Sequence, residues 1–173
     1  ICFSTWASRI PDIKSSMLLN DATWGTILLT IPLGLILGML LSGILISKFG
    51  SNRIFPIAIS GYIISLILVG SSSGILSLIT SLILLGIFGN LSNISVNTQG
   101  VNIENIYNKP IMASFHGGWS IAGLVGSSIG LLMSYLDITP LYHFMIVGSF
   151  FLITASLNFK YLLPDHKKAK LNF

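Results

Sequence analysis

Ser42-Gly-Ile-Leu-Ile-Ser47-Lys48-Phe-Gly50-Ser-Asn-Arg53 is a short polar break between two long apolar runs. Upstream, residues 22–46 read as one helix of about 37 Å, long enough to cross a bilayer with some tilt. Downstream, residues 54–69 read as the next. Within the first run Gly34, Gly38 and Ser42 recur at four-residue spacing, so small residues share one helix face. Such faces let helix backbones approach closely in lipid. Pro32 is tolerated in that run because neighbouring helices satisfy the freed carbonyl.

Composition agrees with this reading. Mean hydropathy is +0.87, and with 53% hydrophobic and only 8% charged residues the chain could not give a water-soluble globule a polar surface. Long uninterrupted apolar runs select helices over the ten-residue alternation of a membrane β-barrel. Further spans are expected at 75–98, 111–135 and 141–163. The turn Gly70–Gly74 separates the third from the fourth, and polar residues 99–110 follow the fourth. Residues 1–10 are too short to span and read as the outer end of a truncated first helix closed by Pro11. The chain is therefore expected to be a piece of a longer protein. Residues 12–21 read as an external loop, and 164–173 as a charged tail after Pro164.

Basic residues divide unequally under this assignment. Lys48, Arg53, Lys109, Lys160, Lys167, Lys168 and Lys170 fall at one side, and only Arg9 and Lys14 at the other. The positive-inside rule makes the first side cytoplasmic, with loops 47–53 and 99–110 and the tail. The formal charge of +4 is thus read as orientation, with no call for nucleic acid. A lone Cys2 excludes an internal disulfide.

Gly43, Leu45, Lys48, Gly50 and Arg53 resemble the loop pattern Gly-x-Leu-x-Asp-[Arg/Lys]-x-Gly-x-[Arg/Lys] that joins helices two and three of the major facilitator superfamily (MFS). Arg53 sits within a residue of the second basic place, and Ser47 stands where the family has Asp. Trp6-x-x-Arg9-x-Pro11 also resembles the end of helix one in a bacterial sugar-permease-like branch of the fucose permease type. The resemblance implies an all-α polytopic membrane bundle, the N-terminal six-helix half of a transporter with its first helix truncated. It further implies a bacterial inner-membrane location, alternating access, and a partner: the missing C-terminal half or a second copy. In the family the loop Asp steadies the outward-open state against the opposite half. Ser47 keeps a hydrogen bond without the charge. Gly43, Ser47, Lys48, Gly50 and Arg53 are thus the expected conformational-gate loop, its cations held at the anionic leaflet.

Candidate solute contacts come from two helices. At about 100° per residue, Gly86, Asn90, Asn93 and Asn97 share one stripe of the fourth span. Amides in hydrocarbon are costly unless paired or wetted, so the row faces either a neighbouring helix or a water-filled cavity. Neutral amides both donate and accept, which suits a small polar solute of the sugar-like class. On the fifth span His116 and Ser120 share a face with Gly123, Ser127 and Ser134, with Trp119 beside them. His116 is read as the only titratable side chain well within an intact span, either binding solute and exchanging a proton or hydrogen-bonded to the fourth helix. Trp119 could stack on a sugar ring or pack on lipid. Trp6 and Arg9 read either as an interfacial anchor and snorkelling cation, or as lining the outer mouth of a cavity. Five carboxylates, Asp12, Asp21, Glu104, Asp137 and Asp165, are all expected in loops. No metal or other cofactor is called for, and no nucleophile–base spacing or phosphate-cradling loop supports an enzyme. The competing class is a non-transporting membrane scaffold or receptor.

Overall fold

A backbone surrounded by hydrocarbon must satisfy its amides within each segment, and helices do so. The computed structural model describes residues 1–165, and the described residues form helices with no strand. In order these are α1 (Cys2–Ser8), α2 (Ile10–Ser16), α3 (Asp21–Leu28), α4 (Thr30–Phe49), α5 (Ser51–Gly70), α6 (Ile75–Tyr107), α7 (Met112–Tyr135) and α8 (Pro140–Asn158), then a 3₁₀ turn (Phe159–Tyr161). Five stretches are long and apolar enough to cross a membrane: α3 with α4, α5, α6, α7, and α8 with its 3₁₀ turn. The protein is an all-α polytopic membrane bundle. The expected tail cations Lys167, Lys168 and Lys170 lie outside the described residues.

Several expected boundaries move, each for a local reason. Pro11 opens α2 instead of closing α1, because a first-turn proline has no helical partner to lose. The expected external loop 12–21 is thus helical to Ser16. The second span breaks at Leu29, between α3 and α4, just before Pro32. The expected loop 47–53 contracts to Gly50, whose φ of +86° turns the chain directly from α4 into α5. Ser47 and Lys48 therefore lie in the last turn of α4 and Arg53 in the first turn of α5. The expected polar loop 99–110 is mostly helix: α6 runs 33 residues, about 50 Å, and ends where Asn108 takes the left-handed conformation. Glu104 therefore sits on α6, not in a loop, and accepts from the Ile111 and Met112 amides at the start of α7 (2.7 and 2.9 Å).

Packing follows the small residues. α6 lies between α4 and α5 as the central helix. A Cβ placed on Gly38 would stand 2.6 Å from the Ile87 carbonyl oxygen, and one on Gly34 3.1 Å from the Gly86 Cα. The small face of α4 is therefore in backbone-to-backbone contact with α6. Trp6, Leu66, Leu78, Leu82 and Phe144 bury a core that ties α1, α5, α6 and α8 together. Ile54, Ala58 and Leu91 form a second cluster nearer the Gly50 turn. α1 packs on α7, where Thr5 Oγ1 donates to the Gly126 carbonyl (3.4 Å) and Gly126 and Gly130 close on α1.

Candidate functional site

Arg9, at the junction of α1 and α2, is 3% exposed and does not snorkel. Its Nε lies 2.9 Å from the Asp12 carboxylate, and its Nη2 donates to the carbonyl of Ile138 in the α7–α8 turn. Ser134 adds a donor to the same carboxylate (3.4 Å). A guanidinium so desolvated needs this pairing. The result is a polar clasp that fastens the α1–α2 elbow to the far end of α7.

The amide stripe of α6 divides. Asn90 faces α4, where its Oδ1 accepts from Ser42 Oγ (3.4 Å). Asn97 Nδ2 donates to Asn93 Oδ1 one turn away (3.3 Å). Asn93 also lines a groove of about 580 Å³ among α1, α5, α6, α7 and α8. The stripe is thus partly interhelical and partly groove wall. On α7, His116 and Ser120 are exposed, the Ser120 hydroxyl donating to its own helix at the His116 carbonyl (3.2 Å). Trp119 is 59% exposed and stands on the groove wall. No hydrogen bond joins His116 to α6 among the described residues.

His116 is not alone as a titratable group inside a span. His143, one turn into α8, is fully buried, its Cε1 beside Gly130 and neither ring nitrogen hydrogen-bonded among the described residues. Sequence reading did not single it out. The ring lies beside Gly130 of α7 and the neighbouring Phe144 ring, 5.4 Å between centroids.

At the Gly50 turn the structure assembles a second clasp. Asp165 Oδ2 accepts from the Ser51 amide and Oδ1 from the Ser51 hydroxyl, each at 2.5 Å, and Asn102 Nδ2 adds a third bond (2.9 Å). Gln99 donates to Ser51 Oγ (2.7 Å) and exchanges both its bonds with the backbone of Leu163 (2.8 Å each). A carboxylate on the first amide of α5 meets the positive end of the helix dipole. Among the gate residues, Gly50 supplies the turn, Gly43, Lys48 and Arg53 are exposed, and the Ser47 hydroxyl donates to the Ile44 carbonyl of its own helix (3.0 Å). Sequence reading missed Ser51, Gln99, Asn102 and Asp165. The only available signal was Leu163-Pro164-Asp165, a carboxylate immediately after the last span.

Close small-residue helix contacts, with a polar clasp at each end, define a multi-pass membrane helix bundle. Comparison with known proteins narrows this class. The chain is 28% identical over 149 residues to an uncharacterized transporter, y4wD, of Sinorhizobium fredii, covering 86% of this chain and 39% of that one. It is 29% identical over 138 residues to an uncharacterized MFS-type transporter of Yersinia pestis, covering 80% of this chain and 36% of that one. Over 126 residues it is 29% identical to the membrane protein MosC of Rhizobium meliloti, covering 73% and 31%. It therefore spans between three and four tenths of the length of these relatives. No family model matches the chain, and no solved structure matches it. The protein is thus a multi-pass membrane protein similar to proteins named as transporters, one of them as MFS-type.

Proposed function

We propose that the chain is part of a secondary transporter moving a small polar solute by alternating access. The solute class we favour is neutral and sugar-like, as in the fucose-permease type of branch. The observation that carries this reading is the near end of α7. His116, Trp119 and Ser120 are exposed there within a span, and no described element covers them. An imidazole on that surface is costly against lipid, and water or a polar partner relieves the cost. A second half, or a second copy, across this face would enclose a wet path, with His116 and Ser120 offering hydrogen bonds and Trp119 a stacking plane. Asn97 on α6 is a further candidate. The basic end holding Lys48, Arg53, Lys109 and Lys160 would face the cytoplasm of a bacterial cell.

The scaffold reading has its own support: Asn90 is paired across to α4 through Ser42, as interhelical polar residues are, and Asn93 is paired with Asn97 along α6. A single experiment separates the two. The protein expressed from its complete reading frame is reconstituted in proteoliposomes and offered a panel of radiolabelled neutral monosaccharides and polyols. Uptake above empty vesicles, reduced at least about tenfold by His116→Ala at unchanged abundance, is expected. Uptake of none of the panel, or uptake that His116→Ala leaves intact, removes this reading. Labelling of His116→Cys by a small maleimide should also succeed, since the position would be wet.

A further inference from the structure

The exposed faces of the bundle differ in kind. On α5, Arg53, Ile57, Ile64 and Leu68 recur at steps of four, seven and four, which is one stripe of the helix, and all are exposed. On α8, Ile146, Phe150, Ile153 and Leu157 form a second exposed stripe that runs down to Lys160 and Tyr161 in the 3₁₀ turn. Polar groups beside that stripe are spent on their own helix. The Thr154 and Ser156 hydroxyls donate to the Phe150 and Leu152 carbonyls (2.8 and 2.7 Å), and Asn158 Nδ2 donates to the Thr154 carbonyl (2.8 Å). Such faces suit hydrocarbon, unlike the α7 face that carries His116 and Ser120. The two helices pack on each other. A Cβ on Gly148 would stand 2.9 Å from Ile63 Cγ2, and the Phe55 and Phe159 rings meet edge to face, 6.3 Å between centroids. The ring contact sets the start of α5 level with the end of α8, so Arg53 and Lys160 crown adjoining apolar helices at one depth.

Neither cation has an acid beside it. The ion pairs among the described residues, Arg9–Asp12 and Lys14–Asp21, belong to the opposite end of the bundle. At this end Asp165 is committed to Ser51 and Asn102, and Glu104 to the first amides of α7. Lys160 Nζ lies instead over the Tyr161 ring, 5.0 Å from its centroid, and a tyrosine of this kind suits headgroup depth. We propose that the outer face of α5 and α8 binds an anionic phospholipid. Its phosphate is held by Arg53, with Lys160 as the flanking cation, and its acyl chains lie along the two apolar stripes. Charge complementarity selects this occupant. A guanidinium presents a fork that fits a phosphate. Free phosphate would meet the cations and leave the stripes unused, and a zwitterionic lipid brings a cation of its own to a site that already has two. The site is local, whereas the diffuse pull of an anionic leaflet acts equally on every cation at this end, Lys109 included. It lies on the face away from the solute path and does not depend on which solute is carried.

The test uses the protein expressed from its complete reading frame, delipidated in detergent and offered dioleoylphosphatidylglycerol or dioleoylphosphatidylcholine, with retained lipid counted by native mass spectrometry. Phosphatidylglycerol should be held the more tightly. Arg53→Gln and Lys160→Gln should each weaken its retention about fivefold, and Arg53→Lys should keep most of it. Lys109→Gln should leave retention unchanged, and millimolar inorganic phosphate should not displace the lipid. Equal retention of the two lipids overturns the site. So does equal weakening by Lys109→Gln, which marks diffuse attraction, or displacement by inorganic phosphate, which marks a simple anion site. In native membranes, a photo-crosslinking residue at Ile64 of the otherwise unaltered protein should give a phospholipid adduct. A protein adduct there, within the chain or to a second copy, overturns the proposal as well.

Discussion

Removing the Asp165 carboxylate should loosen the Gly50 end of the bundle by a measurable amount. In the structure it accepts three hydrogen bonds, two from Ser51 at 2.5 Å and one from Asn102 at 2.9 Å. A bond to a charged group is worth about 1.5–3 kcal/mol, and a carboxylate at a helix amino end adds about 0.3–1 kcal/mol. The terms do not add fully, because Asp165 is only half-buried and its freed donors regain water. A net loss of about 2–3 kcal/mol is expected for Asp165→Ala, an unfolding constant raised about 30- to 150-fold. Asp165→Asn keeps an acceptor and loses the charge, so roughly half that loss should appear. Detergent-solubilised protein titrated with sodium dodecyl sulfate and followed by fluorescence of its three tryptophans would measure both. A loss below about 0.5 kcal/mol for Asp165→Ala would refute the clasp. It would mean that α8 is held by its apolar contacts with α5 alone.

Two further outcomes are checked by the same unfolding titration. Gly38→Ala places a methyl 2.6 Å from the Ile87 carbonyl oxygen and should cost about 1–3 kcal/mol, whereas Gly43→Ala, with open space around it, should be neutral or slightly stabilising. Arg9→Gln leaves the Asp12 charge without its cation and should cost about 3 kcal/mol, with Arg9→Lys recovering part. Equal stability of Arg9→Gln and the unaltered protein would show that the elbow is not clasped.

Much of the fold was legible because hydrocarbon imposes a simple demand. An apolar run of the right length has to be a helix in a bilayer, whatever its neighbours. The spacing of Gly34, Gly38 and Ser42 likewise announced a close contact, and Gly50 announced a turn. Boundaries were less legible. Polarity was read as loop over 99–110 and 12–21, but a helix may run past the membrane or begin on a proline without changing composition. The same confusion hid Gln99 and Asn102, which look like loop residues and act as helix side chains.

Candidate site residues separated along a different line. One-dimensional periodicity put Asn90, Asn93 and Asn97 on one stripe, and only packing could assign Asn90 to α4 and Asn93 to the groove wall. Arg9 and His143 show the limit most clearly. Arg9 read as an interfacial cation or as part of a cavity mouth, and His143 drew no reading; Arg9 is buried against a turn more than a hundred residues away in the chain. By itself, then, the sequence determined what each segment must be, since hydropathy and backbone hydrogen bonding act locally. The tertiary structure decided which side chains meet, which polar groups are paired and which face is left open. Those outcomes arise where distant helices touch, and no local pattern encodes them.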